Sequence, residues 1–104
     1  MKIEVLHFDG CPNHDRWLPH LRGLLDDAGV RDPVELVLVE TEEAAREHRF
    51  LGSPSLRIDG ADIDPGAAER DDFGLKCRLF PTAAGLVGVP PDEWVLAAVR
   101  AARG

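Results

Sequence analysis

The residue with the clearest chemical potential in this sequence is Cys11, which begins the segment Cys11-Pro12-Asn13-His14. An alternating apolar stretch precedes this segment and a helical pattern follows it. A cysteine at a helix N-terminus faces unpaired backbone N–H groups and the positive end of the helix dipole. Both favour the thiolate, the form of cysteine that attacks electrophiles and binds soft metals. The alternative interpretation is that Cys11 only caps the helix.

Two neighbours of Cys11 are further candidates for the same site. His14 lies about one helical turn later and, if protonated, would favour the thiolate of Cys11. The alternative is an exposed helix histidine without a role. Pro12 occupies the first helical position, where its missing N–H costs nothing, and it is predicted to contact the substrate of this site.

The second cysteine, Cys77, is far from Cys11 in sequence, so the two do not form a zinc-type pattern. A disulfide between them would require Cα atoms within about 7 Å of each other. If the loop after Ile63 returns to the Cys11 end of the sheet, Cys77 could be a resolving thiol. It could also be the second ligand of a linearly bound soft metal. Equally compatible is a small buried hydrophobe within Lys76–Leu79.

Apolar periodicity predicts the elements that position these residues. Strands are expected at 3–8, 34–39, 55–58 and 61–63, and helices at 12–28, at 41–49 and from 91 onward. The run 34–39 is almost continuously apolar, which is typical of a buried parallel strand. Asp59-Gly60 is a two-residue hairpin signal. Residues 64–90 form an inserted loop, with a small hairpin expected from 76–80 and 86–89.

The predicted order is β-α-β-α-β-β-loop-α. The first βαβ unit should be a right-handed crossover with parallel strands, and the hairpin adds two antiparallel strands. The expected α/β fold is therefore a mixed four-stranded sheet with helices on both faces. A chain of 104 residues predicts a single domain, 1–104, that contains the inserted segment 64–90.

Three local features resemble the thioredoxin-like superfamily. Cys11 follows the first strand, where the family places its attacking cysteine. Pro19 lies where thioredoxin kinks the same helix, and Ser53-Pro54 precedes the third strand, where the family has its cis-proline. The resemblance covers roughly 1–63 and 91–103 and implies a thioredoxin-like three-layer α/β/α sandwich. The chain also resembles a group of small uncharacterised thioredoxin-like proteins, some of which carry alkylmercury-lyase-type labels.

The resemblance also implies a substrate-binding role for Ser53 and Pro54. A cis bond there would turn the backbone of Ser53 towards Cys11, where it could pair with an extended peptide or thiol ligand. An ordinary trans proline at a strand start is the alternative. The sequence departs from the family motif Cys-x-x-Cys, because His14 stands where the second cysteine would be. The segment 64–90 has no counterpart in the minimal fold.

The leading functional hypothesis is thiol–disulfide exchange through Cys11, without cofactor or metal. Cys11 would attack a disulfide or oxidised thiol of a protein or small molecule, and Cys77 or an external thiol would resolve the mixed disulfide. One alternative is a non-catalytic protein that binds a soft metal or an organomercurial. Another is a redox-inactive interaction adaptor that uses its acidic loop.

Charge and hydropathy disfavour several partners. The net charge is −7, and the 12 Lys and Arg are scattered among 19 Asp and Glu, so nucleic acid and anionic membranes are not expected partners. No apolar run approaches the roughly 18 residues of a membrane helix, and the N-terminus does not resemble a signal peptide. A cytoplasmic location is therefore predicted.

Two further sets of potential metal ligands are not expected to bind a metal ion. His7, His20 and His48 fall on different elements and are not expected to form a metal set. The acidic positions of the insertion lack EF-hand spacing and predict a solvated loop rather than a calcium site. They are Asp62, Asp64, Glu69, Asp71 and Asp72.

Overall fold

The computed structural model describes residues 1–104, and the elements follow the predicted order. They are β1 (Ile3–His7), α1 (Pro12–Asp27), β2 (Val34–Leu38), α2 (Glu42–Glu47), β3 (Ser55–Ile58), β4 (Ala61–Asp62), β5 (Phe80–Thr82), β6 (Gly85–Val87) and α3 (Asp92–Arg103). One 3-10 turn, Ala67–Glu69, lies between β4 and β5.

Four strands form a mixed sheet in the order β2-β1-β3-β4. β1 is parallel to β2 and antiparallel to β3, and β3 is antiparallel to β4. The β3–β4 turn has positive φ at both Asp59 (52°) and Gly60 (85°), as tight hairpin turns require. β5 and β6 form a separate antiparallel hairpin before the last helix. The predicted fold class, a mixed four-stranded sheet with a hairpin before the last helix, is confirmed.

Helices cover both faces of this sheet because the side chains of β1 alternate. Ile3 and Val5 face the larger core, which α1 and α3 close, whereas Leu6 faces a smaller core closed by α2. Members of the larger core include Trp17, Leu21, Leu25, Leu56, Ile58, Val95 and Val99. The smaller core contains Leu6, Val39, Ala45 and Phe50. This arrangement places the β1–α1 junction, and with it Cys11, at one end of the sheet.

The strand β2 is not buried, contrary to its apolar sequence. It lies at the edge of the sheet, with β1 as its only neighbouring strand. Leu36 and Leu38 are 47% and 44% exposed as a result. A continuous apolar run therefore does not distinguish an edge strand from a central one, because the difference depends on which strands pair later in the chain.

The hairpin of the insertion begins later than predicted, at Phe80, so residues 76–79 do not belong to it. The residues just before the hairpin instead bind Ser53, which lies two residues before β3. The N–H of Ser53 donates to the Lys76 carbonyl (2.8 Å), and the N–H of Arg78 donates to the Ser53 carbonyl (3.1 Å). These bonds form a parallel bridge between Ser53 and Cys77. We call residues 74–80 the strap.

The strap is anchored by the buried side chain of Arg78, which is 1% exposed. Its guanidinium donates to both carboxylate oxygens of Asp62 (2.7 and 2.9 Å), to Asp64 (3.4 Å) and to Ser55 Oγ (2.9 Å). It also lies 4.7 Å from the ring centre of Phe80. The prediction that all the acidic residues of the insertion are solvated is thus wrong for Asp62 and Asp64, since they neutralise a buried cation.

Gly52 permits the close approach of the strap. Its φ is +126°, and a Cβ at this position would lie only 2.8 Å from the Arg78 Cβ. Any larger residue would push the strap away from the strand that it contacts.

Replacement of Arg78 tests how strongly this anchor stabilises the fold. Arg78→Met keeps the length of the side chain but leaves the carboxylates of Asp62 and Asp64 without their cation. We expect the free energy of unfolding to fall by about 3–5 kcal/mol, as when one partner of a buried ion pair is removed. Urea denaturation followed by circular dichroism measures the loss.

Arg70→Met is the matched control. The Arg70 side chain is 32% exposed and pairs with Asp72 at the surface. Such a pair contributes at most about 1 kcal/mol. Equal, small losses for the two variants would contradict the role assigned to Arg78.

Candidate functional site

Cys11 occupies the predicted position at the N-terminus of α1, where it is the N-cap residue. Its Sγ accepts a hydrogen bond from the N–H of His14 (3.5 Å) and donates one to the carbonyl of Ser53 (3.8 Å). The residue is 0% exposed. The thiol therefore lies between a helix N-terminus and the chain segment that leads into β3.

The Ser53–Pro54 peptide bond is cis, as the resemblance predicts. Both residues are buried. The backbone groups of Ser53, however, are not free for an extended ligand, because the strap already binds both of them. The Ser53 hydroxyl is buried and has no hydrogen-bond partner.

Cys77 lies in the strap, next to the same Ser53 that Cys11 contacts. Its backbone is bridged to Ser53 within the strap, and both cysteines are free thiols. Cys77 is exposed, so its interpretation as a small buried hydrophobe is wrong. The buried side chain of that segment belongs to the neighbouring Arg78, and no local pattern of residues indicates its burial.

The inserted segment contacts several parts of the chain near the site. The N–H of Gly74 donates to the Phe50 carbonyl (3.0 Å), and the N–H of Leu75 donates to Glu42 Oε1 (3.1 Å). Further along, Gly88 packs so tightly against the Asn13 side chain that a Cβ would not fit. The inserted segment thus contacts the start of α1, the start of α2 and the chain that leads into β3.

Three charged side chains, Arg70, Asp72 and Lys76, form a cluster at the protein surface, and Lys76 belongs to the strap. Hydrogen bonds from Arg70 (2.6 Å) and then Lys76 (2.8 Å) hold the pKa of the Asp72 carboxyl well below its ordinary value. This cluster fixes the residue that immediately precedes Cys77.

His14 is buried (5% exposed), so its interpretation as an exposed helix histidine is wrong. Its ring stacks on that of His7, with ring centres 3.9 Å apart and planes 5° from parallel. Burial lowers the pKa of His14, a charged His7 would lower it further, and Asp15 opposes both effects. His14 is therefore neutral at pH 7 and contacts Cys11 through its backbone N–H rather than through a charged ring. Sequence reasoning missed the role of His7.

These residues do not form a metal centre and do not line the three main surface clefts. No group of three or more His, Cys, Asp or Glu side chains is arranged to hold a metal ion. Three surface clefts of about 410, 690 and 520 Å³ have neither cysteine among their lining residues. Pro12, predicted to contact substrate, is exposed at the start of α1. The site is thus a covered thiol beside an exposed one.

Comparison of this chain with protein-family models, with curated proteins and with solved structures finds no match. The fold and the contacts around Ser53 thus define it only as a small α/β protein with two thiols near one buried residue. None of its helices has the length and apolar character needed to cross a membrane.

The stacked histidines predict a pH dependence of stability. Since folding lowers the pKa of His14 below its ordinary value of 6.5, the unfolded chain binds the proton more tightly. This site therefore does not reduce the free energy of unfolding above about pH 6.5. As the pH falls below that value, the unfolded chain takes up a proton that the folded chain binds less tightly, and the free energy of unfolding falls. We expect His14→Gln to lose less stability than the wild type between about pH 7.5 and pH 5.5, measured by urea denaturation.

His48→Gln provides the control, because His48 is exposed. This variant should retain the pH dependence of the wild type. If His14→Gln retains it as well, the buried stack does not govern proton-linked stability.

Proposed function

We propose that this protein is a thioredoxin-like thiol protein that carries out thiol–disulfide exchange with Cys11 and Cys77. The observation that carries the proposal is the attachment of both cysteines to Ser53. Cys11 Sγ binds the Ser53 carbonyl, and Cys77 is bridged to the backbone of the same residue.

The surroundings of Cys11 support a reactive thiol. A sulfur that accepts a backbone N–H at a helix N-terminus lies where negative charge is stabilised. The cis Ser53–Pro54 bond next to it and the order β2-β1-β3-β4 are compatible with the thioredoxin-like fold. These features together favour thiol chemistry over a purely structural cap.

Cys77 provides a second cysteine in place of the one that is missing from the Cys-x-x-Cys motif. Since position 14 is a histidine, no second cysteine lies one turn after Cys11. The bridge brings the backbone of Cys77 within one strand spacing, about 5 Å, of Ser53. Cys11 Sγ is 3.8 Å from the carbonyl oxygen of the same Ser53, and a disulfide would require the two Cα atoms to come within about 7 Å of each other.

The reaction is an exchange of disulfides. One cysteine of the pair attacks a disulfide of a protein or small molecule, which forms a mixed disulfide and releases one thiolate. The other cysteine, or an external thiol, then attacks the mixed disulfide and releases the second thiolate. The external disulfide is reduced to two thiols, while the two attacking thiols become a disulfide.

Mild oxidation tests the proposal. Treatment of the reduced protein with diamide should join Cys11 and Cys77 within one chain, because both lie beside Ser53. Peptide mapping by mass spectrometry identifies the joined peptides. Cys77→Ser should form no internal disulfide, and the same oxidation in urea, which separates the cysteines, should give a lower yield.

Failure to form the internal disulfide would contradict the proposal. If the protein instead binds one equivalent of mercuric ion through both sulfurs without forming a disulfide, soft-metal binding would replace exchange as its function.

A further inference from the structure

The two cysteines differ in their access to solvent. Cys77 is exposed, whereas Cys11 is 0% exposed. We propose that Cys77 is the cysteine that first bonds to an external disulfide, and that Cys11 resolves the mixed disulfide. This order of attack rests on the proposed exchange function and reverses the order expected from the sequence.

The strap is bound to Ser53, the residue that Cys11 contacts, so we take displacement of the strap as the route by which Cys11 would become accessible. Its displacement would break both backbone bonds of Ser53 and the bond from the Gly74 N–H to the Phe50 carbonyl. It would also pull on Arg78, whose buried guanidinium is bound by Asp62 and Asp64. An external disulfide can meet Cys77, in contrast, without breaking any of these contacts.

Cys11, the buried cysteine, is suited to the second step, in which the mixed disulfide is resolved. Cys11 Sγ accepts the His14 N–H, so negative charge on this sulfur is stabilised without solvent. The Ser53 hydroxyl, buried and without a partner, is a free donor at the residue that both cysteines contact. A sulfur that carries transient negative charge between the two cysteines could accept from it.

The proposed sequence balances in atoms and electrons. The Cys77 thiolate attacks one sulfur of the external disulfide, so a Cys77 mixed disulfide forms and one thiolate leaves. The Cys11 thiolate then attacks the Cys77 sulfur, the internal disulfide forms and the second thiolate leaves. The departing thiolates take up the two protons that the cysteines lose. The external disulfide is reduced, and the protein dithiol is oxidised.

Trapping with oxidised glutathione tests the order of attack. The reduced wild type, Cys11→Ser and Cys77→Ser are mixed with the probe, quenched at intervals and analysed by mass spectrometry. Cys11→Ser should accumulate a stable glutathione adduct on Cys77 at the rate of the first step in the wild type. Cys77→Ser should react at least about tenfold more slowly, because Cys11 becomes accessible only when the strap opens locally.

The possible failures are distinguishable. If Cys77→Ser forms an adduct on Cys11 at the wild-type rate while Cys11→Ser does not react, the proposed order of attack is wrong. The proposed exchange function of the two cysteines is not contradicted by that result. If both variants form adducts but the wild type never forms the internal disulfide, the proposed function itself fails. If Cys11→Ser unfolds, the order of attack is decided in the wild type by mapping which cysteine carries the first glutathione adduct. An adduct that appears on Cys11 before Cys77 contradicts the proposed order.

Discussion

The arrangement around the thiols depends on a buried ion pair. Arg78 has almost no exposure to water, so its charge is tolerable only because Asp62 and Asp64 surround it. This pair holds the strap against β3 and the chain just before it, where the strap binds both backbone groups of Ser53. The Ser53 carbonyl also accepts the Cys11 thiol, so the placement of Cys77 beside the residue that Cys11 contacts depends on this ion pair.

The two thiols come from distant parts of the chain and meet at Ser53. A helix N-terminus supplies the amides that stabilise a sulfur anion, and here it holds Cys11. The position one turn later holds His14, which stacks on His7 as a neutral ring instead of providing a second sulfur. In the proposed exchange function, the second sulfur would be that of Cys77, at an exposed position of the insertion.

Features set by local chemistry could be predicted from the sequence. Cys11 at the helix start, the Asp59-Gly60 hairpin and the element order depend on neighbouring residues and on periodicity. The missed features depend on contacts between distant segments. The exposure of β2, the start of β5 at Phe80 and the burial of Arg78 and His14 each require knowledge of which segments pack together. A buried arginine in particular has no periodic signature, because its partners lie in another part of the chain.

The central claim is that Cys11 and Cys77 behave as one redox unit, and an equilibrium titration in glutathione buffers tests it most directly. The fraction of oxidised protein would be measured by mass spectrometry at defined ratios of reduced to oxidised glutathione. A single transition is expected in which both thiols disappear together and the midpoint depends on the square of the reduced glutathione concentration. Two independent glutathione adducts, each following the first power of that concentration, would contradict the account.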